Sequence, residues 1–152
     1  MSVATKEAST VIGGTTGRQI AVGLLAGAAG GMVFGMMMQM MGRMTMVAML
    51  VGSKSVAVGW LVHLGISIFA GALFALLFGR QVGSWSRSLT LGVGYGMAWW
   101  VVGALVLMPA RLGMPNFKLT TMAWQSLVGH MMFGMVLAVV STLAARRVAR
   151  AS

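Results

Sequence analysis

The stretch VAVGWLVHLGISIFAGALFALLFG, residues 56–79, decides the fold. It contains no Asp, Glu, Lys or Arg, and its length matches the ~20 residues that a helix needs to cross a ~30 Å hydrocarbon core. Because lipid offers the backbone no hydrogen-bond partners, an apolar segment of this length must satisfy its own backbone as a helix. The residues therefore predict a transmembrane helix over 56–79.

Three further segments have the same character and also lack charged side chains. They run over about residues 19–41, 89–108 and 122–145. The sequence therefore predicts an all-α fold, a four-helix transmembrane bundle that occupies residues 19–145. We expect a polar N-terminal segment over 1–18 and a basic tail over 146–152. The N-terminus lacks the basic region of a signal peptide, so we expect the first helix to be retained.

The composition excludes an ordinary water-soluble domain. Hydrophobic residues make up 59% of the chain and charged residues 8%, with one acidic residue against eleven Lys and Arg. The basic residues sit singly or in pairs at the ends of apolar segments, which indicates contact with the anionic headgroups of a lipid bilayer rather than with nucleic acid. The absence of cysteine excludes disulfides and thiolate metal sites.

The distribution of basic residues predicts the orientation. Seven Lys and Arg side chains fall at the end of the bundle that carries both termini, and four fall at the other end. Since loops on the cytoplasmic side carry the excess of positive charge, we expect both termini in the cytoplasm. The other end, which we expect to be the outer one, contains both histidines and most of the methionines.

An offset of 67 residues aligns the two halves of the chain. It superimposes His63 on His130, which are the only histidines present. Further matches at this offset are Ser67 with Gly134, Gly71 with Ala138, Gly27 with Gly94, and Met41 with Met108. Each unit contains two helices, so the two copies enter the membrane in the same direction. We predict two parallel two-helix repeats, over about residues 17–80 and 84–147.

Small residues recur at every fourth position along the predicted helices. Such faces let two backbones approach closely in lipid, where burial of apolar area drives little association. The predicted packing residues are Gly23, Gly27, Gly31, Gly35, Ser67, Gly71, Gly92, Gly96, Gly134 and Ala138. Some of these faces could serve another subunit, so we expect a homo-oligomer or a subunit of a larger membrane complex.

His63 and His130 are the only ionisable groups inside the predicted spans. A rise of 1.5 Å per residue places both about 10–12 Å inside the outer boundary. Polar groups at this depth face the bundle or a wet cavity. Four interpretations stay open: pathway or proton-relay groups, metal ligands, axial ligands of a porphyrin, and helix–helix hydrogen bonding without further activity.

Seventeen methionines are present, and many crowd the predicted outer half. Thioether and imidazole together form a soft ligand set that suits Cu(I) or Ag(I). The candidate metal or pathway residues are His63, His130, Met36, Met37, Met40, Met41, Met44 and Met131. The alternative is structural, because methionine is flexible and fills gaps between glycine-rich helices.

Several catalytic arrangements are absent from the sequence. No carboxylate lies in any predicted span, so a Ser-His-acid triad cannot be built there, and there is no phosphate-binding loop or HExxH motif. We therefore do not expect an enzyme. Two function classes remain: a structural or accessory membrane subunit that packs through glycine faces, and a small channel or carrier, for example for Cu(I).

The last predicted helix contains HMMFGMVLA, residues 130–138, and residues 63–71 echo it. This segment resembles the closing helix of small YagU-like bacterial inner-membrane proteins, in which a histidine precedes an aromatic-glycine step. The acidic residues often found in those proteins are absent here. The resemblance implies a location in a bacterial inner membrane and no particular activity.

Overall fold

The computed structural model describes the backbone of residues 3–151 and the side chains of residues 16–147 and Arg150. This part of the chain is all-α and contains no strand, which confirms the predicted fold class. The helices are α1 Val3–Met40, α2 Met44–Met49, α3 Val56–Phe78, α4 Trp85–Trp99, a π-helical segment Trp100–Leu107, α5 Met108–Leu112 and α6 Thr121–Ala151.

Within the described residues, four helical stretches are long and apolar enough to cross a membrane. They are Thr16–Met40, Val56–Phe78, Trp85–Leu112 and Thr121–Arg147. The chain is therefore a multipass membrane protein. Helix α1 begins at Val3 and α6 ends at Ala151, so both helices extend beyond the predicted bundle limits at residues 19 and 145.

The third span runs beyond its predicted end at residue 108. The helix continues through Pro109, one residue beyond that end, to Leu112. Pro109 has no N–H to bond the carbonyl four residues earlier, and that Leu105 carbonyl instead accepts from the backbone N–H of Phe117 at 3.1 Å. The helix ends at Gly113, whose φ of 68° lies in the left-handed region that glycine adopts without strain.

Helices α1 and α3 pack backbone to backbone through small residues. A Cβ on Gly23 would lie 2.6 Å from the Cβ of Ala75, and one on Gly27 would lie 3.0 Å from the Cα of Gly71. Real Cβ contacts essentially never fall below 3.0 Å. Gly31 faces the side chain of Ser67 in the same way. A side chain at these glycines would therefore push the two helices apart.

Helices α4 and α6 form the equivalent pair in the second repeat. Gly92 lies against Gly134 and Ala138, and Gly96 lies against the carbonyl of His130. The contacts of Gly92 thus correspond to those of Gly27.

This correspondence corrects the sequence alignment, which paired Gly27 with Gly94 at the offset of 67. Gly94 lies two residues further along, with no atom within 4 Å of an added Cβ. A π-helix places more residues in each turn than an α-helix. The π-helical segment Trp100–Leu107 therefore accommodates the extra residues before the matched pair Met41 and Met108.

The two repeats meet tightly along the seam between α1 and α6. Phe34 of α1 covers Gly129 of α6, and Phe133 of α6 covers Gly30 of α1. A residue larger than glycine at either position would collide with the phenyl ring opposite it. The two helices therefore close the seam by each placing one phenyl ring over a glycine of the other.

The second seam, between α3 and α4, is wider. In the described residues these two backbones make few close approaches, and side chains bridge them instead. The Tyr95 hydroxyl donates a hydrogen bond to the Ala70 carbonyl at 2.7 Å, and Trp99 meets Phe69 edge to face at 6.4 Å. Aromatic packing fills the half of this seam nearer the termini, where Tyr95 lies against Phe74 and Phe78.

Arginines link the repeats at the end of the bundle that carries α2 and α5, which we call the α2–α5 end. Arg43 donates to the side chain of Gln125 in α6, and Arg111 donates from Nε to the Leu50 carbonyl at 3.2 Å. At the opposite end, Arg146 lies 5.0 Å over the ring of Trp85. At the α2–α5 end, each repeat therefore provides one arginine that donates a hydrogen bond to the other repeat.

Candidate functional site

A cavity of about 570 Å³ occupies the half of the α3–α4 seam that lies toward the α2–α5 end. Both histidines line it. Three large apolar side chains on its rim are exposed, namely Ile66, Phe69 and Leu107. They belong to the membrane-spanning stretches, so the cavity opens sideways, at the level of the lipid.

His63 is held by the close packing of α1 on α3. Its Nε2 lies 2.9 Å from the carbonyl oxygen of Gly31, while the Ser67 hydroxyl donates to the His63 carbonyl at 2.8 Å. Because a carbonyl oxygen only accepts, Nε2 carries the proton in this contact. The neutral ring then presents an unprotonated Nδ1.

His130 has the opposite tautomer. Its Nδ1 lies 2.8 Å from the carbonyl of Ser126, one turn earlier in α6, so Nδ1 donates and Nε2 is the unprotonated nitrogen. Among the described residues, Thr142 Oγ1 is the only fully buried side-chain polar atom without a hydrogen-bond partner. The unprotonated nitrogens, His63 Nδ1 and His130 Nε2, are therefore not fully buried, and both residues line the cavity.

A single phenyl ring separates the two imidazoles. The Phe34 ring lies 5.3 Å from the ring of His63 and 4.7 Å from that of His130, edge to face with both. The histidines therefore share one cavity without sharing a ligand position, since one metal ion bound by both nitrogens would have to displace Phe34. No three His, Cys, Asp or Glu side chains in the described part of the chain are grouped to hold a metal.

A second cavity of about 420 Å³ adjoins the first at the α2–α5 end. The two share Phe34, Met38 and Met108 on their walls. Six methionines line the second cavity: Met38, Met41, Met46, Met108, Met114 and Met122. Arg43 and Lys118 also line it, so its polar boundary is positively charged.

The family of the chain follows from its sequence. Residues 4–152 match the family described as a family of unknown function, DUF6789. The chain belongs to the DUF6789 family. The match includes all four spans and both histidines, so the site described above lies within the DUF6789 region. Comparison with curated proteins and with solved structures finds no match.

The methionines predicted as metal or pathway residues are scattered in this DUF6789 protein. Met41 lines the smaller cavity, whereas Met36 and Met40 are exposed, Met40 to 88%. Met44 is buried against Gly59 as part of the packing of α2 on α3. Met37 and Met131 are partly buried and line neither of the two cavities.

Sequence reasoning did not single out Phe34 or Arg111, both of which line the larger cavity. Phe34 is the only aromatic residue in the described part of α1, where it interrupts a run of small residues and methionine, and this isolation was an available signal. Arg111 carried no signal of its own, because an arginine after an apolar segment is ordinarily an interfacial charge.

Proposed function

We propose that this protein binds a lipophilic small molecule that enters sideways from the bilayer, acting as a membrane carrier or receptor for it. One observation supports this most directly. The α3–α4 seam contains a cavity that opens at the level of the lipid and contains two imidazoles with accessible, unprotonated nitrogens. Polar groups at this depth in a membrane protein ordinarily mark a functional site.

The dimensions and lining of the cavity suit an organic ligand. Its volume of about 570 Å³ lies within the ~300–1,000 Å³ of small-molecule sites, which are mostly apolar with a few placed polar groups. A bare metal ion would leave most of this space empty. The exposed rim at Phe69 and Leu107 offers a lipid-soluble molecule a route that does not cross the headgroup region.

The glycine contacts between the helices weigh against a purely structural role in which these faces bind another protein. The small-residue faces, some of which we expected to serve another subunit, pack against one another within the chain, α1 on α3 and α4 on α6. An accessory subunit would have to associate through other surfaces. Both the homo-oligomer and the orientation with cytoplasmic termini stay predictions.

A matched pair of glycine substitutions tests the proposal. Gly103 lines the cavity, Gly94 faces outward on the same span, and neither would place a Cβ within 4 Å of another group. Gly103→Phe fills the cavity, whereas Gly94→Phe adds the same ring to an open surface. Native mass spectrometry of protein purified in mild detergent should show a bound lipophilic molecule on the wild type and on Gly94→Phe.

The Gly103→Phe variant should lose that molecule while keeping its helical circular dichroism. Equal occupancy in all three proteins would overturn the proposal, because filling the cavity would then have no effect on binding. Absence of any bound species from wild type isolated from its native membrane would also contradict it.

The methionine-lined cavity favours a second candidate function, the handling of a soft metal ion. Six thioethers around this cavity form a ligand set suited to Cu(I), and Cu(I) bonds to sulfur without needing carboxylates. Four exposed methionines that line neither cavity provide a matched control, because their replacement removes the same number of sulfur atoms.

The test compares two variants, each with four Met→Leu substitutions, in an anaerobic Cu(I) competition titration. The cavity set is Met41, Met46, Met114 and Met122; the control set, which lines neither cavity, is Met32, Met36, Met40 and Met49. Loss of Cu(I) binding in the cavity set alone supports the soft-metal function. Equal binding by both variants and wild type would exclude it.

A further inference from the structure

We infer that the ligand of the larger cavity is a metalloporphyrin, with its metal bound by His130, its macrocycle in the α3–α4 seam and its carboxylates at Arg111. This inference rests on the proposed function and names the chemical class of the molecule bound. Each part of such a ligand meets a group on the wall of the same cavity: an imidazole, aromatic and small apolar residues, and a guanidinium.

The two histidines differ in which nitrogen they present. His130 bonds its own helix through Nδ1 and leaves Nε2, the nitrogen farthest from the backbone. His63 uses Nε2 to bond Gly31 and leaves Nδ1, which lies next to its own Cβ. A planar macrocycle can approach Nε2 of His130 without colliding with the backbone of α6. His130 is therefore the residue that binds the metal. A hydrogen bond from the other ring nitrogen to a carbonyl is the usual support of a metal-bound histidine.

The walls of the cavity suit a flat apolar ring. Trp99, Phe69 and Phe133 supply aromatic surfaces, and Gly103 and Ala104 leave space between them. The backbones of α3 and α4 stand apart at this seam, unlike those of the glycine-packed pairs. The open space between the two helices therefore lies beside the Phe69–Trp99 contact, along Gly103 and Ala104.

The charges at the α2–α5 end complement the carboxylates of a porphyrin. Arg111 lines the cavity and bonds Leu50 through Nε, which leaves the terminal nitrogens of its guanidinium for an anion. Arg43 and Lys118 line the adjoining cavity. The chain has a single acidic residue, Glu7, in the N-terminal part of α1, so the sequence supplies no carboxylate near Arg111.

The first experiment titrates the detergent-solubilised full chain with haemin, the ferric porphyrin. We expect saturable one-to-one binding with a Soret spectrum typical of imidazole ligation. His130→Ala should weaken haemin binding by about tenfold or more, since 1.4 kcal/mol corresponds to a factor of ten. Added imidazole should restore the spectrum, which separates lost ligation from misfolding. Gly94→Phe, on the outward face of the third span, should keep the wild-type spectrum.

Metal-free protoporphyrin isolates the role of the metal. It lacks the atom that His130 would bind, so it should bind equally to wild type and His130→Ala. Arg111→Ala should weaken haemin binding by about tenfold or more, because a hydrogen bond to a charged group is lost. The dimethyl ester of haemin carries no carboxylates and should not distinguish Arg111→Ala from wild type. Arg87→Ala, at the opposite end of the bundle, is the matched control.

A Soret spectrum that is the same with wild type, with His130→Ala and with empty micelles would overturn the porphyrin assignment. If the molecule seen by native mass spectrometry still disappears in Gly103→Phe, the cavity binds a different lipophilic ligand and the proposed function stands. If Gly103→Phe and Gly94→Phe retain it equally, the proposed function itself fails.

Discussion

Replacing Gly92 by alanine tests whether close backbone approach sets the packing of α4 on α6. The added Cβ would lie 2.8 Å from the Cβ of Ala138 and closer still to the Gly134 carbonyl, which cannot rotate away as a side chain can. Gly94→Ala is the control, because nothing lies within 4 Å of its Cβ. Both variants gain the ~1 kcal/mol by which alanine exceeds glycine in helix propensity.

The difference between the two variants therefore isolates the contact. Overpacking of a tight interface costs about 1–3 kcal/mol, so Gly92→Ala should be less stable than Gly94→Ala by that amount. Reversible unfolding in mixed micelles, followed by circular dichroism, measures the two free energies of unfolding.

Combining Gly92→Ala with Gly134→Ala provides a second check on the same contact. Since both residues meet at one place, the double variant should lose less than the sum of the single losses. Equal stability of Gly92→Ala and Gly94→Ala would refute the reasoning, as would strict additivity of the pair.

Three further predictions concern buried side chains. Thr142→Val should raise the free energy of unfolding by about 1 kcal/mol, because it removes a buried hydroxyl without a partner. Tyr95→Phe should lower it by about 1 kcal/mol through loss of the hydrogen bond to the Ala70 carbonyl. Phe34→Ala should lower it by about 3 kcal/mol and widen the connection between the two cavities, since the ring fills the space over Gly129.

The same unfolding measurement checks all three, and each has its own contrary outcome. Thr90→Val is the control for Thr142→Val, because Thr90 is exposed and its hydroxyl bonds Ser86. A destabilised Thr142→Val would show that its hydroxyl has a partner after all. An unchanged Tyr95→Phe would mean that the bridge across the α3–α4 seam contributes nothing, and an unchanged Phe34→Ala would contradict the reciprocal ring packing.

The spans were predictable because they depend on local composition. An apolar run of sufficient length forms a helix in lipid whatever surrounds it, so residues 56–79 required no tertiary information. The glycine faces of α1 and α3 were equally visible, since a four-residue spacing places Gly27 and Gly31 on one side of a helix. The continuation of the third span through Pro109 was not predictable, because a proline ordinarily ends or kinks a helix, and the N–H that satisfies the Leu105 carbonyl comes from Phe117, beyond the span.

The cavity was not predictable from residue types, and the methionines show why. Met40 and Met41 are adjacent and chemically identical, yet one faces outward and the other lines the smaller cavity. Hydropathy does not distinguish lipid from protein interior, since both are apolar. The π-helical segment Trp100–Leu107 was likewise not predictable from residue types, because an apolar run predicts a helix without distinguishing a π-helix from an α-helix.

The closed seam joins the first helix of the chain to the last. Helix α6 is also the partner of α4, so a nascent chain without it has a complete α1–α3 pair and an unpaired α4. The α1–α6 seam can therefore form only after all four spans have been inserted. The packing of Phe34 on Gly129 and of Phe133 on Gly30 is then among the last contacts to form during biogenesis. We therefore expect residues 1–80 and 84–152, made as two separate chains, to reassemble within the bilayer, and copurification of the two fragments would test this.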